Sequence, residues 1–120
     1  MNVRQVRQRG EVWTVRLDPT LGHEQRKQRP AVLVCDPALT RSTGLALIVP
    51  LTSRDRGWLL HVAVPAGPNT GLRVTSFAMV EQLRSVDVTH RFVARVGVVE
   101  AGVLDEIDDV LNLVLGRDLR

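Results

Sequence analysis

The chain has 120 residues, enough for one domain with one core. Hydrophobic residues make up 44% but aromatics only 3%, so Val, Leu and Ala must fill that core, and their short runs favour strands over a helix bundle. The opening MNVRQVRQRG lacks the apolar run of a secretion signal and no later stretch is long enough to span a bilayer, which leaves a cytoplasmic protein with no membrane partner as the expectation.

Residues 1–8 are polar and Arg-rich and are expected to form a flexible arm. Residues 9–116 form the domain and 117–120 a short tail. Within the domain, Glu11 to Leu17 alternates apolar Val12, Val15 and Leu17 with polar positions and predicts the first strand. Asp18 to Gly22 has turn chemistry. A run of seven polar residues, His23 to Arg29, then leads into Pro30, which disfavours helix at the residue before it. A second strand is expected over Ala31–Cys35. Asp36-Pro37 opens a connection that ends near Thr43-Gly44. Leu45 to Leu51 is a continuous apolar run and predicts a buried central strand, with Pro50 marking an edge or a bulge. A turn over 52–57 precedes a strand over Trp58–Pro65 and a loop over 66–71. Val74 to Leu83 is expected to be one long, bent strand carrying Gln82 and Arg84 near its end. One helical turn over 87–91 and a last strand over Phe92–Val98 follow.

The convincing helix is C-terminal. Val103, Leu104, Ile107, Val110, Leu111, Val114 and Leu115 recur at spacings of three and four, with Asp105, Glu106, Asp108 and Asp109 opposite them, and Gly116 supplies a stop. Many short strands and one terminal helix predict a β-rich α+β fold built on a strongly bent sheet or barrel.

The charge balance is informative in kind more than in size. The net charge is +3, and of the 16 basic residues only Lys27 is not Arg. A genome-wide preference for Arg explains this as well as a polyanionic partner does. Arg suits phosphate because its planar fork donates two parallel hydrogen bonds. The single cysteine, Cys35, rules out an intrachain disulfide, and its place after Ala31-Val32-Leu33-Val34 predicts a buried, inert thiol. His23, His61 and His90 lie far apart, and no spacing typical of zinc ligands, of a phosphate-binding loop or of a serine nucleophile occurs. No metal site and no cofactor are expected. Gly22-His23-Glu24-Gln25-Arg26-Lys27-Gln28-Arg29-Pro30 gathers a carboxylate, an imidazole and several cations on one loop. From composition alone this is either a solvated charged loop or a binding loop. Thr52, at the end of an apolar strand, is of a type that commonly caps a turn.

Several segments taken in order resemble the MazF/PemK family. Arg9-Gly10-Glu11-Val12-Trp13, Leu17-Asp18-Pro19-Thr20, Gly22-His23-Glu24-Gln25 and Arg29-Pro30-Ala31-Val32 match its N-terminal signature. Thr43-Gly44-Leu45, Val49-Pro50-Leu51-Thr52-Ser53 and Arg56-Gly57 match its second block, and Glu81-Gln82-Leu83-Arg84-Ser85 its third. The resemblance covers roughly residues 9–116. It implies a small SH3-like β-barrel of the CcdB/Kid/MazF type with a C-terminal amphipathic helix, assembled as a homodimer. It also implies a toxin endoribonuclease (an mRNA interferase) that cuts single-stranded RNA at short motifs. A cognate antitoxin with an acidic tail would neutralise it, and operator DNA would be reached only through that antitoxin.

By this resemblance the catalytic residues are Arg29, Thr52 and Glu24. Substrate-binding positions are His23, Gln25, Arg26, Lys27, Ser53, Arg56, Gln82 and Arg84. The chain departs from the family in its Arg26-Lys27-Gln28, where small residues are usual, and in Leu60-His61, where Phe-Glu is typical. The implied chemistry is metal-independent attack by a ribose 2′-OH on the adjacent phosphorus. Arg29 would stabilise the phosphorane and Thr52 would donate to a non-bridging oxygen. Glu24 would act as base, with His23 the alternative because an imidazole titrates near pH 6.5. Two other classes stay open. One is a non-catalytic RNA-binding module of the same fold. The other is a protein binder like the gyrase-poisoning relative, whose C-terminal Trp-Gly-Ile is absent from Gly116-Arg117-Asp118-Leu119-Arg120.

Overall fold

The computed structural model describes residues 7–17 and 28–117. Seven strands form one antiparallel sheet: β1 (Glu11–Arg16), β2 (Gln28–Leu33), β3 (Leu45–Thr52), β4 (His61–Val64), β5 (Ser76–Met79), β6 (Arg84–Asp87) and β7 (Phe92–Val98). The helices are α1 (Pro37–Thr43), α2 (Val88–Arg91) and α3 (Ala101–Val114). The strand order is β4-β5-β3-β2-β1-β7, with β6 also paired to β3.

Alternation along the central strands sends successive side chains to two different cores. Val12, Val32, Val49, Leu51, Val62, Val64, Ala78 and Val80 point to one face, which α3 covers with Ile107 at its centre. Ile107 is fully buried, and Val103, Leu104, Val110 and Leu111 pack around it. Trp13, Val15, Ala31, Leu33, Ala46, Ile48 and Val86 point to the other face, where Phe92 and Val88 complete a second cluster. Val12 and Trp13 are therefore both buried although adjacent, each on its own side. Arg7, within the stretch expected to be an arm, is buried as well; its guanidinium lies over the rings of Trp13 and Phe92, 4.8 and 5.4 Å from their centroids. Desolvation there lowers its pKa, with the Glu11 carboxylate opposing the shift. At the helix side, Arg9 pairs with Asp108 and donates to the Val34 carbonyl, tying α3 to the sheet.

Several sequence expectations need correction. Residues 37–43 form helix α1, not a plain connection. Asp36 accepts from the Ala38 N–H at 2.8 Å, Pro37 opens the helix, and Gly44 closes it at φ 78°. Asp-Pro and Gly are turn residues, but in that order they are also helix start and stop signals. The strand expected over Trp58–Pro65 begins only at His61, because the Trp58 carbonyl accepts the His61 N–H and closes a turn. The long strand expected over Val74–Leu83 is broken: β5 ends at Met79, a 3-10 turn runs over Val80–Gln82, and β6 starts afresh at Arg84. The sequence of β3 explains the break. Its outer side pairs with β6 through Leu45–Ile48 and with β5 through Leu51–Thr52, and the gap falls at Val49-Pro50, where the proline nitrogen has no hydrogen to give.

The sheet is not a closed barrel, because no ladder joins its edge strands β4 and β7. The β4–β5 connection covers the distance instead: the Val98 N–H donates to the Asn69 carbonyl at 2.9 Å. Backbone meets backbone here, which is why Gly71 and Gly97 face each other's strands; a Cβ on either would run into main-chain atoms of Val96 or of Asn69 and Thr70.

A candidate nucleic-acid cleft built on β2, β3 and β6

The second sheet face is covered by Phe92 and the short helices at one end and open at the other. Residues at the open end share the parity of the buried ones. In β2, Arg29 follows the alternation of Ala31 and Leu33. In β3, Thr52 follows Ile48 and Pro50, and in β6, Arg84 follows Val86. The β2–β3 register pairs Leu33 with Ile48 and Ala31 with Pro50; carried two residues further, it sets Arg29 opposite Thr52. The apolar strip thus ends in charge, and the backbone order that packs the core also brings these side chains together.

They line an open cleft of about 600 Å³. Arg29, Arg54, Arg56 and Arg84 contribute four guanidinium groups, Thr52, Ser53 and Gln82 add neutral hydrogen-bonding groups, and among the described residues no Asp or Glu lines it. Leu17, Pro50 and Met79 make its apolar patches. Several local bonds fix the geometry. The Thr52 hydroxyl accepts the Arg54 N–H at 3.2 Å, which orients the oxygen and keeps the O–H for another acceptor. Asp55, the acidic residue of this turn, accepts the Gly57 N–H at 2.9 Å and so spends a lone pair on the backbone. Arg84 donates to the Leu17 carbonyl at 3.2 Å, holding β6 against the end of β1. A concave surface whose described charges are all cationic focuses a positive potential, the footprint of a phosphate-bearing ligand.

Of the positions expected from sequence, Arg29, Thr52, Ser53, Arg56, Gln82 and Arg84 converge on this cleft. Glu24, His23, Gln25, Arg26 and Lys27 lie outside the described residues. Arg54 was missed; the signal available was its place between Ser53 and Asp55, two residues before Arg56 on the same turn. His61 is not in the cleft wall. Its imidazole is 3% exposed, and its Nε2 lies 3.1 Å from the Glu81 carboxylate. Cys35 is buried, as expected, and its sulfur accepts the Leu47 N–H. Among the described residues, no group of three or more His, Cys, Asp or Glu could hold a metal ion, and no helix is long and apolar enough to cross a membrane.

Residues 8–115 match the family model described as a PemK-like, MazF-like toxin of type II toxin–antitoxin systems. The chain is 34% identical over 113 residues to the endoribonuclease PemK of Escherichia coli, covering 90% of this chain and 81% of PemK. It is 38% identical over 112 residues to the endoribonuclease MazF9 of Mycobacterium tuberculosis, covering 89% of this chain and 94% of the relative. Among solved structures, MazF of Deinococcus radiodurans superposes with a TM-score of 0.76 at 29% identity, over 93% of this chain and 98% of the other. The MazE–MazF complex of the same organism gives 0.79 at 28% identity, over 95% and 99%. A basic cleft on a mostly antiparallel sheet with a C-terminal helix, matched over nearly its whole length by these proteins, places the chain in the PemK/MazF family of type II toxins.

Proposed function

We propose that the protein is a toxin endoribonuclease that cuts single-stranded RNA in the arginine-lined cleft. The observation that carries this reading is the register that brings Arg29 and Thr52 together at the open end of β2 and β3, in a family whose named relatives are endoribonucleases. The substrate brings its own nucleophile: the 2′-OH attacks the adjacent phosphorus, the bond to the 5′-oxygen of the next nucleotide breaks, and that oxygen takes a proton. The products are a 2′,3′-cyclic phosphate, or the 3′-phosphate it opens to, and a 5′-OH. The protein must remove one proton, stabilise the phosphorane and return one proton. Arg29 stabilises the phosphorane, since a guanidinium is a planar, cationic hydrogen-bond donor matched to phosphate oxygens. Thr52 donates its hydroxyl to a non-bridging oxygen. Glu24 is the base and His23 the alternative. Arg54, Arg56 and Arg84 hold flanking phosphates, and Gln82 and Ser53 face the bases.

The reaction runs without metal in this reading; what supports it is that the described cleft residues supply guanidinium, hydroxyl and amide groups and no carboxylate, the usual anchor of a divalent cation. The protein works in the cytoplasm as a homodimer. An acidic antitoxin is the second partner: the cleft's charge suits a chain of carboxylates as well as phosphates, and a Deinococcus neighbour was solved as a MazE–MazF complex. Operator DNA is reached only through that antitoxin. The SH3-like barrel belongs to the same proposal; the Val98–Asn69 contact is what supports reading the open sheet as a variant of it.

The test is to incubate purified protein with total RNA in EDTA and to sequence the new ends. Cuts at one recurring short motif, with 5′-OH ends, are expected. Ends bearing 5′-phosphate, or cleavage abolished by EDTA, would overturn the mechanism. Binding with no cleavage of any RNA would favour the non-catalytic module.

A further inference from the structure

The turn after β3 carries an aromatic group that the chemistry above does not use. Trp58 is 50% exposed and its neighbour Leu59 88%, whereas the other tryptophan, Trp13, is buried. An isolated exposed apolar side chain is ordinary, but Trp58 is held in place from two sides. Its ring packs on the imidazole of His61, with centroids 5.0 Å apart and planes tilted by 46°. That imidazole is itself buried and fixed by Glu81 at 3.1 Å, on the 3-10 turn that ends in Gln82 of the cleft. On the other count, the Arg56 guanidinium sits over the Trp58 ring, 5.4 Å from its centroid, and Arg56 lines the cleft. The aromatic ring is thus continuous with the phosphate-binding arginines through one shared residue.

We propose that Trp58 is a stacking shelf for an unpaired base of the bound strand, next to the phosphate held by Arg56. Every nucleobase has a π face, so such a shelf adds affinity with little preference for sequence, and a ring already anchored loses little freedom on binding. The shelf favours nucleic acid over a peptide because the cation beside it is placed for a phosphate one backbone step from the base. It also restricts the substrate to unpaired strands, since a base stacked in a duplex cannot reach the ring. The inference rests on the RNA reading of the cleft and adds a specificity-determining residue to it.

The probe is a 12-nucleotide single-stranded DNA containing all four bases, which lacks the 2′-OH nucleophile and so is bound without being cut. Wild-type protein should show quenching of tryptophan emission on binding, with Trp13 as the buried, unresponsive reference. Trp58→Leu should bind roughly 5- to 100-fold more weakly, the range expected for one lost stacking contact. Trp58→Phe should recover most of the loss. The slope of affinity against salt should be the same in all three, because the phosphate contacts remain. Wild-type affinity in Trp58→Leu, or binding without quenching, overturns the shelf and leaves the nuclease reading intact. Quenching by a poly-glutamate peptide but not by the oligonucleotide also overturns it and makes the ring an antitoxin contact. A wild-type protein that neither binds the oligonucleotide nor cuts RNA overturns the reading on which the shelf rests.

Discussion

The two faces of the same sheet are made by the same strands and do opposite work. Toward α3, Val32, Val49, Leu51 and Ile107 form a dry aliphatic layer. Toward the cleft, the strip of Ala31, Leu33 and Ile48 ends in Arg29 and Thr52. A shift of one residue in register would exchange the two sets, so the register that excludes water on one side also sets Arg29 and Thr52, the proposed catalytic pair, on the other. Stability and activity are therefore written at alternate positions, and substitutions should separate them.

The largest effect should come from the covered face. Ile107→Ala empties the middle of the α3 contact and should cost about 2–5 kcal/mol of stability. Urea unfolding measures this, and the folded fraction should cleave at its usual rate. A rate loss per folded molecule would show that the faces are coupled. Next, Arg29→Ala removes an exposed guanidinium and should lower the cleavage rate about 100- to 1,000-fold while leaving the melting temperature unchanged. Near-normal single-turnover rates in this variant would remove the central residue from the mechanism. Thr52→Ala should follow with a loss on the order of 10-fold, the scale of one neutral hydrogen bond.

The smallest effect separates the faces from the strand ends. The Asp87 side chain caps α2, accepting from the Thr89 N–H, and pairs with His90. The bond from His90 and then that from Thr89 hold its carboxyl below the ordinary range. A folded pKa lowered in this way means that the stabilisation is present above the unfolded value and is lost as pH falls through the folded one. Asp87→Asn keeps a capping residue but removes the charge, so it should be slightly less stable than wild type at neutral pH and converge with it as pH falls through that acid window. A stability difference that persists unchanged below the window would assign the effect to the cap and not to the charge.

Much of this was legible from residue types. The alternation in β1, the run of β3 and the spacing of α3 depend on burial, which pattern reports directly. The α1 helix was not legible because Asp-Pro and Gly serve turns and helix caps alike, and only the chain between them decides. The break between Met79 and Arg84 depends on how β3 divides its outer edge between two partners, a tertiary fact that a window on residues 74–83 does not contain. At the site, Arg29 and Thr52 could be named through resemblance, but their meeting comes from a strand register that joins two residues 23 positions apart in sequence. Arg54 had no such guide, and Trp58 could be seen only as an aromatic at a position where the family usually carries one. Their relation to the cleft comes from a turn whose path is set by the Thr52 and Asp55 side chains.

If the cleft positions an RNA phosphate for attack by the substrate's own 2′-OH, the substrate and not the protein carries the nucleophile. The most direct measurement uses an oligonucleotide carrying the mapped cleavage motif, with a single deoxyribose on the 5′ side of the scissile bond. All bases and phosphates stay, so binding should match the all-RNA strand. Cleavage at that bond should vanish, while the all-RNA strand is cut in EDTA at its full rate. A deoxy-substituted strand that is still cut at that bond would require an activated water and would contradict the account.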